Sequence, residues 1–386
     1  MLEIETVGEP GGEVGYDMPC TVGDRFDQIE TPALVIDLDA FERNVARMRV
    51  ASEQMGVRLR AHAKTHKSAA IALYQMEAGG ACGVCCQKVA EAEVLVRGGV
   101  ADILVSNEVI GEKKIERLAR LAGRARMAVC VDDADNVADL SRIMARHGVS
   151  LDVLVEIDCG AGRCGVEPGA SAVALAQAVD AAPHLVFAGI QAYHGKAQHI
   201  ADPAERRAAI AASTEKAART VSMLADVGLI CRIVGGAGTG SFDLEGTSGL
   251  YTELQCGSYI FMDADYARII GQGGGPLGGF EHALFVLTSV MSRAAPGRVV
   301  CDAGLKAHAV DSGLPTVFGR PDLAFSGISD EHGQIDDPAG TLRLGERLKL
   351  VPGHCDPTVN LHDWYVGLRR DRVETLWPVT ARGKIW

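Results

Sequence analysis

The chain has 386 residues, 47% of them hydrophobic, enough to bury one sizeable core and a second smaller one, so very small folds and disordered chains are excluded. Its 38 basic and 50 acidic residues leave a net charge of -12, which opposes broad attraction to nucleic acid or to an anionic membrane. An anionic substrate would therefore need a local cationic pocket or a metal.

The leader MLEIETVGEPGGEVGYD lacks a basic start followed by an apolar run and does not read as a secretory signal. No stretch approaches the roughly 18 apolar residues of a spanning helix, so neither a membrane nor a nucleic-acid partner is expected. TPALVIDLDAFERNVARM then reads as a strand entering a helix. From Val57 to Asp263 a short β-rich run, a polar or glycine-rich turn and a longer amphipathic stretch recur. The runs are VRLRAHAK, ACGVCC, ADILVSN, RMAVCVD, LDVLVEIDCG, FAGIQAYHG, CRIVGGAGTG and ELQCGSYIFMD. LYQMEAG, QKVAEAEVLVRGG and EKKIERLARLAG read as outer helices, with Gly98 and Gly99 as C-terminal stops. Eight such units predict an α/β fold with a closed (β/α)₈ barrel of the TIM type over residues 40–270.

From about Phe280 the pattern changes to FVLTSVMS, RVVCDAG, RLKLVPGH and RVETLWPV, short β runs without long helices. Residues 1–39 and 271–386 are expected to form a mainly β second domain, joined by the first strand near Ala33 to Leu38. The glycine-rich GQGGGPLGG marks the boundary. The 11 cysteines are odd in number, and Cys82, Cys85 and Cys86 sit in an apolar run, so free thiols in a reducing, cytoplasmic compartment are expected. CGVCC has a CxxC spacing, but no second pair or histidine cluster completes a zinc knuckle.

The chemistry-bearing residues gather at the strand ends, where a TIM barrel builds its site from eight loops. In RLRAHAKTHK, Arg60, His62 and Lys64 alternate and would share one face, pointing into the barrel mouth. A lysine there can form a Schiff base if the pocket keeps part of it deprotonated; a solvent-facing lysine is the alternative. GGAGTGSF offers converging backbone N–H groups and the Thr239 and Ser241 hydroxyls to an anion, and ELQCGSY adds a second Gly-Ser turn at the next strand end. Ordinary barrel turns compete with that reading. Arg163 lies in the glycine-framed loop DCGAGRCG, suited to reaching one fixed oxygen or to a structural salt bridge. In PGHCDPT, His354 and Asp356 are two apart and would point the same way on an extended segment, as a divalent-metal pair or a metal-free His-Asp pair.

Taken together these motifs, with EVGYDMP, GVCCQKVAEAE, EIDCGAGRCGV, AYHG, DAGLKAHAVDSGLP, DEHG and WPVTARGK, make the chain resemble the fold type III pyridoxal-phosphate enzymes of the D-threonine aldolase and D-serine dehydratase group. The likeness spans essentially the whole sequence. It implies that Lys64 carries pyridoxal 5'-phosphate, that Arg163 approaches the ring oxygen, and that Gln87 and Tyr193 line or bind the cofactor. Gly238, Thr239, Gly257 and Ser258 would receive the phosphate, Tyr259 would lie beside the ring, and His354 with Asp356 would carry a divalent metal, Mg²⁺ or Mn²⁺ first, then Co²⁺ or Zn²⁺. It also implies a homodimer whose sites are completed by the partner's second domain.

Dehydratase-like members typically carry Cys two residues after the metal histidine; Asp356 stands there as in the aldolases. GLKAHAVDSGLP and EVGYDMP resemble the branch acting on hydroxyaspartate. The implied activity is retro-aldol cleavage of 3-hydroxy-D-aspartate to glyoxylate and glycine, with a bound water or a nearby histidine such as His194 taking the hydroxyl proton. Cleavage of D-threonine and dehydration of the same class of substrate are the alternatives. Arg60, His308 and Lys306 are the candidates for reading a second substrate carboxylate.

Overall fold

A computed structural model describes residues 12–386. The first part of the leader, MLEIETVGEPG, lies outside the described residues, and with it most of the reading that no secretory signal is present.

Among the described residues the first strand is β1 (Ala33–Asp37), which runs directly into α1 (Leu38–Met55). Asp37 ends the strand and caps the helix, accepting from the Ala40 N–H, and Gly56 closes it in the left-handed conformation at φ 69°. There follow β2 (Arg58–His62), α2 (Ala69–Glu77), β3 (Gly83–Cys86), α3 (Val89–Arg97), β4 (Asp102–Glu108), α4 (Glu112–Ala122), β5 (Arg126–Val131) and α5 (Ala134–His147). The series continues with β6 (Leu151–Glu156), α6 (Ala170–Ala181), β7 (Leu185–Ala192), α7 (Pro203–Asp226), β8 (Ile233–Gly236), α8 (Phe242–Gly246) and β9 (Glu253–Leu254).

Strands β2 to β9 form a closed barrel, every neighbouring pair parallel, with β9 sealing it against β2 at Arg58↔Glu253 and Leu59↔Leu254. All eight expected runs are barrel strands. The two-residue period sorts each of them between two cores. Cys85, Leu104, Ala128, Cys130, Leu154, Ala188 and Ile233 fill the barrel interior, while their neighbours, such as Val84, Ile103, Val129 and Val153, pack outward under the helices. All 11 cysteines are free thiols.

The second sheet contains β10 (Leu284–Ala295), β11 (Arg298–Cys301), β12 (Thr316–Val317), β13 (Ala324–Ile328), β14 (Gly333–Asp336), β15 (Arg347–Val351), β16 (Trp364–Arg369) and β17 (Arg372–Pro378). A short helix, α9 (Cys355–Val359), stands between β15 and β16. The sheet order is β13-β14-β11-β10-β1-β16-β17, with β15 on β10 and β12 on β15. The first strand thus lies in this sheet, antiparallel to β10 and parallel to β16. Its alternation joins the two bodies: Ala33 and Val35 face a core with Phe285, Leu287 and Val366, whereas Leu34 and Ile36 belong to the large core that continues under the barrel helices. Among the described residues no helix is long and apolar enough to cross a membrane.

Candidate active site

The C-terminal mouth of the barrel holds a cavity of about 290 Å³. Six of the eight strand ends contribute the expected residues: Lys64 after β2, Gln87 after β3, Arg163 from the loop after β6, Tyr193 after β7, Gly238 and Thr239 after β8, and Gly257 and Ser258 after β9. These eight expected residues therefore come together from six separate loops.

The Lys64 ammonium contacts Asp356 Oδ2. Burial works against its charge, but the Asp356 carboxylate outweighs that and holds the lysine above its ordinary range. Burial likewise opposes the Asp356 charge, and Lys64 followed by His354 draws the carboxyl down to about 2. Arg163 places Nη2 at 3.5 Å from Glu156 Oε1 and its guanidinium carbon 5.8 Å from the centre of the Tyr193 ring. Gln87 is fixed by its amide nitrogen, which lies 3.2 Å from Ser106 O, 3.1 Å from Ser106 Oγ and 3.0 Å from His62 Nε2. Burial keeps His62 well below the ordinary histidine range, so it sits in the floor as neutral imidazole. Beneath, Gln191 and Gln255 exchange two amide hydrogen bonds of 2.7 Å, and Gly235 between them leaves no room for a Cβ, which would fall 2.8 Å from Gln255 Nε2.

The donor set fits pyridoxal phosphate. At one end stand an amine and a guanidinium, and at the other lie two turns with the backbone bared. A Cβ on Gly238 would fall 2.6 Å from Gln198 Oε1, and one on Gly257 2.4 Å from Thr65 Oγ1. The Thr65 hydroxyl is buried without a partner, a state costing about 1–3 kcal/mol that a bound phosphate oxygen would relieve.

His354 and Asp356 stand where the second sheet meets the mouth, His354 capping α9 and Asp356 in its first turn. His354 Nδ1 is 2.8 Å from Asp311 Oδ2, which turns Nε2 toward Asp356 Oδ2 at 4.0 Å. Asp356 Oδ1 is buried and without a partner. One imidazole nitrogen oriented by an outer carboxylate, plus an orphaned carboxylate oxygen, fits a hard or borderline divalent cation with two protein ligands. Among the described residues, Glu108, Asp132 and Cys164 form a separate group of metal-capable side chains, their ligand atoms within 4.8 Å of one another.

Several expected residues lie elsewhere. The His194 ring packs over Gly160, where a Cβ would come within 2.8 Å of Nε2, and it does not line the cavity; next to Tyr193 on an extended stretch, it points the other way. Tyr259 is fully buried, its hydroxyl 2.9 Å from Gln75 Nε2 and its ring 5.8 Å from Phe280, because the helical turn that brings Ser258 to the cavity carries the next side chain outward. Its backbone N–H donates to Thr239 Oγ1 at 3.0 Å. Arg60 does share the inward face with His62, but it is on the barrel floor, bound to Glu253 and Asp102. Lys306 is exposed and paired with Glu331, and both ring nitrogens of His308 are buried without a partner.

His62, expected on the inward face with Lys64, lines the cavity, which also takes Thr65, Ser106, Gln191, Ala237, Gln255 and Tyr266 beyond the expected set. Two of these carried a usable signal. As His62 stands two residues before Lys64, so Gln191 and Gln255 stand two before Tyr193 and Gly257, the same face one layer deeper. Tyr266 and Asp311 carried none, since both lie on loops placed by tertiary contacts.

Comparison with known proteins agrees with this architecture. Residues 36–265 match the family model described as alanine racemase, N-terminal domain, and residues 283–368 match a putative serine dehydratase domain. A 3-hydroxy-D-aspartate aldolase of Paracoccus denitrificans (strain Pd 1222) is 52% identical over 377 residues, 97% of each chain. A D-threonine aldolase of an Arthrobacter species is 46% identical over 367 residues, covering 95% of this chain and 96% of its own. The crystal structure of D-threonine aldolase from Filomicrobium marinum superposes with a TM-score of 0.93 at 51% identity, over 95% of this chain and all of that one. With a barrel of this topology, a lysine at its mouth and identity of this extent, the chain belongs to the alanine-racemase-like, fold type III family of pyridoxal-phosphate enzymes.

Proposed function

We propose that this protein cleaves 3-hydroxy-D-aspartate by a retro-aldol reaction to glyoxylate and glycine. One observation carries the reading: the lysine of the barrel mouth and the His354–Asp356 pair of the second sheet meet at a single point, the Lys64–Asp356 contact. The near-full-length likeness to a Paracoccus aldolase named for that substrate supports it.

Pyridoxal phosphate, held by Lys64, supplies the electron sink for the pair released when the Cα–Cβ bond breaks. A divalent cation, Mg²⁺ or Mn²⁺ in our assignment, would be held by His354 and Asp356 and would make the substrate's β-hydroxyl more acidic. The remaining work falls to the chain. Lys64 provides the amine for carbonyl condensation. Arg163, braced by Glu156 and the Tyr193 ring, presents fixed N–H donors to an oxygen on the cofactor's face. Thr65, Thr239 and Ser258 offer hydroxyls beside the bared backbone of Gly238 and Gly257. Asp311 fixes the His354 tautomer. Tyr193 and Tyr266 are held by burial above the ordinary phenol range, so both donate hydrogen bonds rather than accept a proton. With His194 turned onto Gly160, the hydroxyl proton passes to water in the cavity. We assign the working form as a homodimer.

A second reading, D-threonine cleavage to acetaldehyde and glycine, is favoured by the likeness to two D-threonine aldolases. It uses the same groups. The purified protein, supplied with pyridoxal phosphate and Mn²⁺ or Mg²⁺, is assayed on D-3-hydroxyaspartate and D-threonine in parallel. Glyoxylate plus glycine should form faster than acetaldehyde, and chelation should stop turnover while the lysine-bound cofactor absorbance persists. Oxaloacetate plus ammonia, or a preference for D-threonine, overturns the proposal; full activity in metal-free protein removes the metal role.

A further inference from the structure

We infer that the segment Asp265–Arg268 reads the substrate's second carboxylate, with Tyr266 donating a hydrogen bond from its phenol and Arg268 supplying the positive charge. The inference rests on the dicarboxylate reading given above.

A substrate with two carboxylates entering a protein of net charge -12 is helped by a side-chain cation besides the metal. Lys64 and Arg163 are committed to the cofactor. Arg60 is saturated on the barrel floor, Lys306 points to solvent on Glu331, and burial holds His308 down at about 3, so it carries no charge. The Asp265–Arg268 segment is placed differently. Its backbone is stitched to the approach to the metal pair: the Ala264 N–H donates to Pro352 O at 2.9 Å and the Asp265 N–H to Gly353 O at 3.2 Å, immediately before His354. Tyr266 lines the cavity with Tyr193 and Lys64, and its hydroxyl makes no hydrogen bond to any described residue.

Arg268, one turn on, is anchored at one corner only. One of its terminal nitrogens contacts Asp265 Oδ1 and lies 3.5 Å from Ser312 O, beside the Asp311 that orients His354. Asp265 Oδ2 is held at 2.6 Å by His199 Nδ1, so the carboxylate that steers the guanidinium is itself fixed. Arg268 does not itself line the cavity; its side chain remains 62% exposed, and its other N–H groups have no hydrogen-bond partner among the described residues. A phenol in the cavity and a planar fork one turn beyond it, against the loop that orients His354, suit a carboxylate on the carbon that bears the hydroxyl, whereas the methyl group of threonine can use neither.

The test compares wild type, Arg268→Gln, Arg268→Lys and Tyr266→Phe on D-3-hydroxyaspartate and on D-threonine, reading the ratio of the two kcat/KM values. Arg268→Gln should lower the ratio about 10- to 100-fold, mainly through KM for hydroxyaspartate, as loss of a charge-assisted hydrogen bond predicts. Arg268→Lys should restore part of it, and Tyr266→Phe should lower it less. An unchanged ratio, or equal losses on both substrates, overturns the inference. Cofactor absorbance and the melting temperature identify a variant that fails to fold, in which case the other two decide. If wild type releases no glyoxylate, the functional reading fails by itself. Malate as a competitor of D-threonine cleavage then reports on the segment: inhibition weaker in Arg268→Gln than in wild type supports it, and equal inhibition refutes it.

Discussion

Replacing Glu253 by Gln would remove one charge from a buried ion cluster at the closed end of the barrel, where Glu253 pairs with Arg60 and, at 2.9 Å, with the exposed Arg58. Arg60 is 4% exposed and Glu253 1%. Arg60 Nε lies 2.7 Å from Glu253 Oε2, Nη2 3.3 Å from Oε1, and Nη1 2.6 Å from Asp102 Oδ1. Gly83 opposite is the only residue type that fits, since a Cβ there would stand 2.6 Å from Arg60 Nη1. With Gln at 253 the guanidinium keeps the 24%-exposed Asp102 and loses its two-point, more deeply buried counter-charge. Breaking a buried pair from one side costs about 3–5 kcal/mol; the amide can still accept one bond, which places the expected loss near 3 kcal/mol. The Arg60→Met, Glu253→Leu double variant, which buries no lone charge, should lose less than the single one. Urea unfolding followed by circular dichroism measures both, and substrate KM is the control. A loss below about 1 kcal/mol for Glu253→Gln, or a raised KM at unchanged stability, would refute the reasoning and return Arg60 to the substrate site.

Lys64→Ala should abolish the lysine-bound cofactor absorbance while leaving the barrel folded, because the side chain stands 40% exposed and packs no core; a persisting lysine adduct would reassign the cofactor lysine. Glu245→Gln should change the dependence of stability on pH. Burial pushes the Glu245 carboxyl from 4.5 up to about 8, against the weaker support of the Ser241 hydroxyl, 2.9 Å away, and of a backbone N–H. The folded state therefore holds a proton that the unfolded state releases, so stability falls as pH climbs from about 4.5 and the loss is complete above about 8. The variant should flatten that slope and exceed wild type above pH 8 by a few kcal/mol, roughly what such a shift represents; parallel melting-temperature curves from pH 5 to pH 9 would refute it.

What the sequence determined by itself is local and periodic. The eight barrel strands, the strand-into-helix opening and the placement of Lys64, Gln87, Arg163, Tyr193 and the two glycine turns followed from alternation and from strand ends being where loops begin. The same period placed His62 on the inward face and could have found Gln191 and Gln255. Four strands of the second sheet, β12, β13, β14 and β16, escaped the sequence reading: β12 has two residues, β13 and β14 are broken by glycine and polar residues, and WYVGLR lies close behind the metal motif.

What only the tertiary structure decided is depth, orientation and encounter. Arg60 and Lys64 lie on one strand's line, yet one sits on the sealed floor and the other at the open mouth, because depth is set by which neighbours close the barrel beside them. Orientation turned His194 onto Gly160 and Tyr259 onto Gln75, each one residue from a side chain that does line the cavity. The meeting of Lys64 with Asp356, 292 residues apart, and of Tyr266 and Arg268 with the approach to His354, has no local signature. Such contacts are fixed by how the second sheet packs against the barrel through β1, and a linear pattern records the period of each element but not the distance between two of them.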